Sequence, residues 1–429
     1  MPRMPGPHET LDRLRAGTLA GATRLDLRGC GLTAVPPEVF HLADTLQVLD
    51  LSGNALTDLP EALSALPRLQ VLFASDNRFT TLPAVLGRCP ALQMVGFKAN
   101  QIHTVPAAAL PAGLRWLILT DNQVAQLPDQ LGHCGQLQKL MLAGNCLRRL
   151  PDSLASCQRL ELVRLAANQF ETAADALPAG LLALPRLAWL AHAGNPFSAP
   201  LEQQAEAASP APPIAWHQLQ VQGLLGEGAS GRIHAALWQG GAGTAQPVAV
   251  KLFKGAVTSD GLPHSEMAAC MAAGAHPHLV GVLGRLTGHP EGTPGLVLQR
   301  IPPGHANLAG PPSLASCSRD VYAPGLRLAA SAARAIASGM QSALAHLHRQ
   351  GLAHGDLYAH NILADDQGQA LLGDFGAASF LPVDDPLRRA ALQRIDRRAL
   401  AVLLAELAGL CNDAAAAAAL QAEARALPA

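Results

Sequence analysis

One segment, copied along the first half at a spacing of 22 or 23 residues, constrains this chain more than anything else in it. LQVLDLSGNALTDLP (46–60) returns as LQVLFASDNRFTTLP (69–83), LQMVGFKANQIHTVP (92–106), LRWLILTDNQVAQLP (114–128) and LQKLMLAGNCLRRLP (137–151). TRLDLRGCGLTAVP (23–36) opens the series, with Cys30 where the others carry asparagine; LELVRLAANQF (160–170) and LAWLAHAGNPF (187–197) continue it. A single copy cannot bury its own leucines, so the copies must stack into one array with atypical ends. Asn54, Asn77, Asn100, Asn122, Asn145 and Asn168 recur where each copy turns. A short amide at that point can hydrogen-bond the backbone groups that the turn would otherwise leave bare.

The spacing L-x-x-L-x-L-x-x-N-x-L resembles the leucine-rich repeat. The resemblance implies an α/β solenoid, a horseshoe, of about eight repeats over residues 1–197, capped by residues 8–22 and closed by the 27-residue step from Asn168 to Asn195. By the two-residue period of a strand, Val71, Phe73, Met94, Trp116, Ile118, Met141, Leu162 and Trp189 face out of the concave sheet, beside Lys98, Lys139 and Arg164. So many apolar groups on one face read as a protein-binding surface anchored by Phe73, Met94, Trp116, Ile118, Met141 and Trp189. The competing reading is that another part of this chain, or a second copy, covers them.

The formal net charge of -1 offers no excess of Lys and Arg to hold nucleic acid or an anionic membrane. The start, MPRMPGPHETLDRL, lacks the apolar core of a secretory signal, and no uninterrupted run of about 18 apolar residues occurs. The expectation is a cytoplasmic chain without a membrane span. The eight cysteines show no C-x-x-C spacing, and Cys134 and Cys157, with Cys89 nearly so, share one repeat phase. They read as buried free thiols rather than disulfides or metal ligands. Residues 198–213, SAPLEQQAEAASPAPP, break the leucine pattern and read as a semi-extended tether with room for a short helix over 200–208.

The second half carries a different set of motifs. LQVQGLLGEGASGRI contains Gly226-x-Gly228-x-x-Gly231 and then Ile233. A dinucleotide turn uses the same glycines but leads into a helix, whereas IHAALWQG and then PVAVK read as two strands. Lys251, at the end of PVAVK, is one of only four lysines in the chain, and Glu266 follows 15 residues later in a segment read as helix. His354-Gly-Asp356-Leu-Tyr-Ala-His-Asn361 and Asp374-Phe-Gly376 come next. Taken singly, each has a plain reading: a snorkelling strand lysine, a solvated helix glutamate, a turn. Together and in this order they resemble the protein kinase family over about 215–410.

That resemblance implies an α+β bilobal domain over 214–429 that binds ATP and Mg²⁺. Gly226, Glu227, Gly228, Ala229, Ser230 and Gly231 would close over the phosphates, and Ile233 and Ala249 would complete the nucleotide site. Lys251, oriented by Glu266, would hold the α and β phosphates. The Gln299 to Ile301 backbone would face adenine, behind Leu298. Asp356 would align the accepting hydroxyl, Asn361 and Asp374 would hold the metal, and Asp396 would anchor the catalytic loop from below.

Three departures bear on the acceptor. Gly355 stands where the family has arginine. Only 19 residues separate Gly376 from Asp396, with Ser379 the sole hydroxyl among them, and 33 residues follow Asp396, so the C-lobe is shortened. Switching by loop phosphorylation, which needs an acceptor and an arginine cluster, does not fit this segment. The leading reading is a Ser/Thr-type protein kinase whose repeats recruit substrate or regulator. The alternatives are a compact kinase of a small molecule or an ATPase, and a repeat scaffold carrying a nucleotide-binding pseudokinase.

Overall fold

The computed structural model describes residues 7–208, 212–228, 230–240, 245–255, 257–258 and 260–427. After helix α1 (Pro7–Arg15), the repeats contribute one three-residue strand each. These are β1 (Arg24–Asp26), β2 (Val48–Asp50), β3 (Val71–Phe73), β4 (Met94–Gly96), β5 (Trp116–Ile118), β6 (Lys139–Met141), β7 (Leu162–Arg164) and β8 (Trp189–Ala191). They form one sheet in chain order, parallel and in register, as in Leu49 beside Leu72 beside Val95. The leucine-rich-repeat solenoid expected from the sequence is therefore present.

Its local logic is visible in the turns. Asn122 Oδ1 accepts from the Ile102 N–H at 2.9 Å, and its Nδ2 donates to the carbonyls of Phe97 (2.8 Å) and Leu119 (3.1 Å). Each asparagine thus stitches its own turn to the preceding repeat, which removes the desolvation cost of buried backbone groups. The residue before the asparagine is left-handed: Asp76 at φ 53°, Ala99 at 53°, Asp121 at 59°. Pro36, Pro60, Pro83, Pro106, Pro128 and Pro151 each precede a short 3₁₀ return arm. Cys89, Cys134 and Cys157 end three of these arms, buried and unpaired, and burial pushes the Cys89 and Cys157 thiols up to about 11.

By compactness the chain divides into one unit of residues 1–163 and 168–186 and a second of 164–167 and 187–429. The second unit thus takes in the end of β7, all of β8 and the segment expected to be a tether. That segment is helix α2 (Ala199–Ala208), and it is docked. The carboxylate of Glu202, 5% exposed, accepts from Gly194 N–H (2.8 Å), Ser198 Oγ (2.7 Å) and Ser265 Oγ (2.6 Å). A buried charge with three donors fixes the segment, where composition suggested a semi-extended tether with room for a short helix over 200–208. Residues 209–211 of the expected tether lie outside the described residues.

The rest of the second unit has two lobes. The first is a six-stranded sheet of β9 (Pro213–Ala215), β10 (Leu219–Glu227), β11 (Gly231–Trp238), β12 (Gln246–Phe253), β13 (Val282–Thr287) and β14 (Gly295–Gln299), with helix α3 (Pro263–Ala273) packed on it. Its strand order is β10-β11-β12-β14-β13-β9. Val248 and Val250 on β12 are fully buried in the sheet's own core, so the alternate residues Ala249 and Lys251 face the other way. The second lobe is helical. It contains α4 (Ala330–Arg349), α5 (Pro386–Leu410) and α6 (Ala414–Ala426). Short strands β15 (Ala306–Asn307), β16 (Leu352–Ala353), β17 (Ile362–Ala364), β18 (Ala370–Leu372) and β19 (Ser379–Phe380) hold its loops. The mixed sheet and helices fit the kinase-like architecture, with two helices from residue 386 onward among the described residues. No helix of the described residues is long and apolar enough to cross a membrane.

Candidate active site

A cleft of about 520 Å³ lies between the two lobes of the second unit. Its roof is the hairpin of β10 and β11, with Gly226, Gly228, Ser230, Gly231 and Ile233 on its wall; Ala249 and Lys251 come from β12. Glu266 enters from α3, Gln299 and Ile301 from the end of β14, and Asn361 and Asp374 from below. Most of the sequence-predicted residues thus converge, although Lys251 and Asp374 are far apart in the chain; Asp356 is not on the cleft wall but is tied to Asn361, which is. Ala229 lies outside the described residues. Glu227 does not line the cleft: at the end of β10 it turns to solvent and pairs with Lys254 and with Arg232 (3.3 Å). The Gln299 N–H is taken by the Gly281 carbonyl at 2.8 Å.

The ammonium of Lys251 contacts the Glu266 carboxylate directly, and Glu266 is 3% exposed. Burial penalises the ammonium, but Glu266, with Asp374 behind it, outweighs this and holds the Lys251 pKa above its ordinary value. Lys251 is therefore a fixed positive charge inside the cleft.

The loop that carries Asp356 is held from α5. Asp396, 1% exposed, accepts from the N–H groups of His354 (2.8 Å) and Gly355 (2.9 Å) and meets His348 Nε2 at 3.0 Å. Burial opposes its charge, but His348 and the loop overcome this and keep its pKa below the usual carboxylate range. Asn361 Nδ2 donates to the Asp356 carbonyl (3.0 Å) and to its Oδ2 (2.9 Å). This spends the Asn361 nitrogen and leaves its oxygen as the atom it can offer a cation. Asp374 is left-handed at φ 52°, and its Oδ1 accepts from the Gly376 N–H at 3.2 Å. Among the described residues there is no group of three or more His, Cys, Asp or Glu that could hold a metal. The chain itself offers a cation Asn361 and Asp374. A two-ligand set of this kind suits a hard divalent ion that takes its remaining ligands from phosphate and water.

His360 also lines the cleft. Burial works against its charge, but Asp320, 2.7 Å from Nδ1, more than compensates, and its pKa lies above its ordinary value.

Sequence reasoning placed Arg164 and Trp189 on the concave face, and the structure gives them other work. The Arg164 guanidinium is 2% exposed. It donates to Asp260 Oδ1 (2.6 Å), to the Gly355 carbonyl (3.3 Å) and to Asp356 Oδ1. Trp189, 1% exposed, donates its indole N–H to the Leu357 carbonyl at 3.1 Å and stacks on Tyr358 at 4.1 Å. Trp189 is thus covered by the loop that carries Asp356 and is no anchor for an outside partner; the competing reading, cover by this chain, holds for it. Met94 is also buried, at 2%. Phe73, Trp116, Ile118 and Met141 stay half-buried, with Phe73 edge-on to Trp116 at 6.3 Å and Lys139 over the Trp116 ring at 4.6 Å.

Gly355 has a physical reason as well. It sits at φ 71°, and a Cβ there would lie 2.6 Å from the carbonyl oxygens of both Ala377 and Leu190. No arginine fits. The signal in the sequence was the pairing of two oddities: a missing arginine in the loop motif, and an arginine in a strand position where other repeats carry Phe73, Gly96, Ile118 or Met141.

Residues 219–399 match the family of protein tyrosine and serine/threonine kinases, and residues 20–79 match the leucine-rich-repeat family. A solved leucine-rich-repeat protein of Leptospira interrogans is 22% identical, with a TM-score of 0.29; the match covers 43% of this chain and 63% of that one. No curated protein matches this chain significantly.

Proposed function

We propose that this chain, which belongs to the proteins that fuse a leucine-rich-repeat region to a protein kinase domain, moves the γ-phosphate of Mg-ATP to a serine or threonine hydroxyl of a protein. A kinase domain uses ATP and a divalent metal in general. The observation that carries the reading is the convergence of Lys251 with its Glu266 partner, Asn361 and Asp374 on one cleft. Lys251 fixes the α and β phosphates beneath the backbone of Gly226, Gly228 and Gly231. Ala249, Ile233 and the Gln299 to Ile301 segment receive adenine. Asn361 and Asp374 would hold Mg²⁺, which supplies charge neutralisation between the phosphates when bound. Asp356 orients the hydroxyl and takes its proton. Catalysis is then positioning and charge neutralisation. The half-buried apolar patch of Phe73, Trp116, Ile118 and Met141 recruits the protein to be modified or its regulator. The test is transfer of radiolabel from ATP to protein, comparing wild type with Asp356→Ala. Label that depends on Asp356 supports the reading; a wild type that labels no protein, with its captured partners present, removes it.

A second reading, a compact kinase of a small molecule, draws support from the segment after Gly376. It passes through the two-residue strand β19 and enters α5 at Pro386, so it offers a peptide little extended backbone. ATP turnover raised by metabolites and not by proteins would favour it.

A further inference from the structure

The phosphotransfer centre gathers acidic groups. Asp260 and Asp374 both act on the charge of Asp356, and Glu266 stands beside Lys251. Like charges this close repel one another, and a buried cation between Asp260 and Asp356 offsets that repulsion. Arg164 is placed there. Three of its nitrogens reach three different parts of the centre: Nε the Asp260 carboxylate in the segment leading into α3, Nη1 the Gly355 carbonyl, and Nη2 the Asp356 carboxylate. Burial works against this charge, but Asp356 and Asp260 outweigh it and hold the pKa far above the ordinary arginine value.

The neighbouring contacts show what kind of role this is. Arg164 and Trp189 touch four consecutive residues of the loop: the Gly355 carbonyl, the Asp356 carboxylate, the Leu357 carbonyl and the Tyr358 ring. A segment that merely blocked the acceptor site would need to cover only the carboxylate. This one grips the backbone on both sides of it. Asn361 still holds the other carboxylate oxygen at 2.9 Å, and a carboxylate can accept further bonds on both oxygens. The Lys251–Glu266 pair is intact in the same structure.

We propose that Arg164 is a positioning residue of the phosphotransfer centre: its guanidinium sets the Asp356 carboxylate and ties it to Asp260, so that a side chain from the repeat sequence completes the catalytic loop. The inference rests on the phosphotransfer reading above. It gives the strand segments 164–167 and 187–195 a direct part in the chemistry, beyond recruitment.

The test compares full-length wild type with Arg164→Ala and Arg164→Lys. ATP turnover, label transfer, nucleotide affinity by titration with a fluorescent ATP analogue, and the pH profile of kcat are measured for each. In Arg164→Ala, kcat falls by about 100-fold, as when one preorganised electrostatic partner is removed. KM for ATP and nucleotide affinity do not change, because the cleft does not contain Arg164. The acid limb of the kcat profile moves to higher pH, because Arg164 opposes protonation of Asp356. Arg164→Lys recovers part of the rate, and added guanidinium ion rescues Arg164→Ala but not wild type. A kcat equal to or above wild type in both variants overturns the proposal, and an increase would identify the contact as a block. If Arg164→Ala loses nucleotide binding as well, the lysine variant decides: partial activity supports positioning, and wild-type activity refutes it. An inactive wild type would instead overturn the phosphotransfer reading, and this inference with it.

Discussion

The docking of α2 hangs on one side chain, and its removal has a calculable cost. Glu202 is the buried residue of that helix, and it is a charge. In Glu202→Ala, three donors lose an ionised acceptor: Gly194 N–H at 2.8 Å, Ser198 Oγ at 2.7 Å and Ser265 Oγ at 2.6 Å. Bonds of this kind contribute about 1.5–3 kcal/mol each. Ser198 can turn to the Asn195 carbonyl at 3.0 Å, and the Ser265 hydroxyl is free to rotate, so the uncompensated loss is nearer to about 3 kcal/mol than to the full sum. A further ion pair of this helix, Glu206 to Arg285 at 2.9 Å, is about half exposed on both sides and contributes little. A ten-residue helix cannot hold itself in water without tertiary anchoring. The expected result is a roughly 100-fold loss of amide-exchange protection over 199–208, the equivalent of about 3 kcal/mol. Exchange in the repeat strands stays as it was. Native-state hydrogen exchange with mass spectrometry reads both. Unchanged protection over 199–208 would refute the reasoning and show that the apolar atoms of the helix hold it.

Asn122→Ala strands the buried Ile102 N–H and two or more carbonyls and should destabilise the repeats by about 3 kcal/mol; urea unfolding followed by Trp116 fluorescence measures it. Lys251→Met should reduce phosphotransfer by about 100-fold or more while leaving the fold cooperative, checked by labelling and circular dichroism. The folded pKa of His360 is raised, so its ion pair with Asp320 contributes stability that is full below its unfolded value near 6.5 and is lost as pH rises through the folded value. Thermal unfolding of wild type should weaken over that window relative to His360→Gln, which should lack this component. Changing Phe73 and Trp116 together to Ser should abolish partner capture while circular dichroism shows the repeats still folded; undiminished capture would dismiss the patch as a docking surface.

What could be read from the sequence, and what could not, follows from where the physical signal is stored. The solenoid was legible because stacking forces each repeat to restate the same leucines and the same turn asparagine. The cleft was legible because the motifs that carry Lys251, Glu266, Asn361 and Asp374 keep a fixed order and spacing, and the fold brings all four to one cleft. The Glu202 anchor was not, since a glutamate in an Ala- and Gln-rich stretch looks solvated until its three donors, one of them 63 residues away, are placed around it. Arg164 and Trp189 were assigned to the right face by strand period, but period says nothing of what covers a face. Gly355 read as a loss because the sequence shows the missing side chain and not the Leu190 carbonyl that needs its space.

That crowding at Gly355 limits how this chain can vary. With two carbonyl oxygens 2.6 Å from where a Cβ would begin, any larger residue at 355 requires both strand β8 and the segment at Ala377 to withdraw; Trp189 would leave its place with β8, and Arg164 would lose the Gly355 carbonyl. The three positions should therefore change together among relatives or not at all. An arginine at 355 is therefore compatible only with a chain that gives up the grip of Arg164 and Trp189 on the loop that carries Asp356.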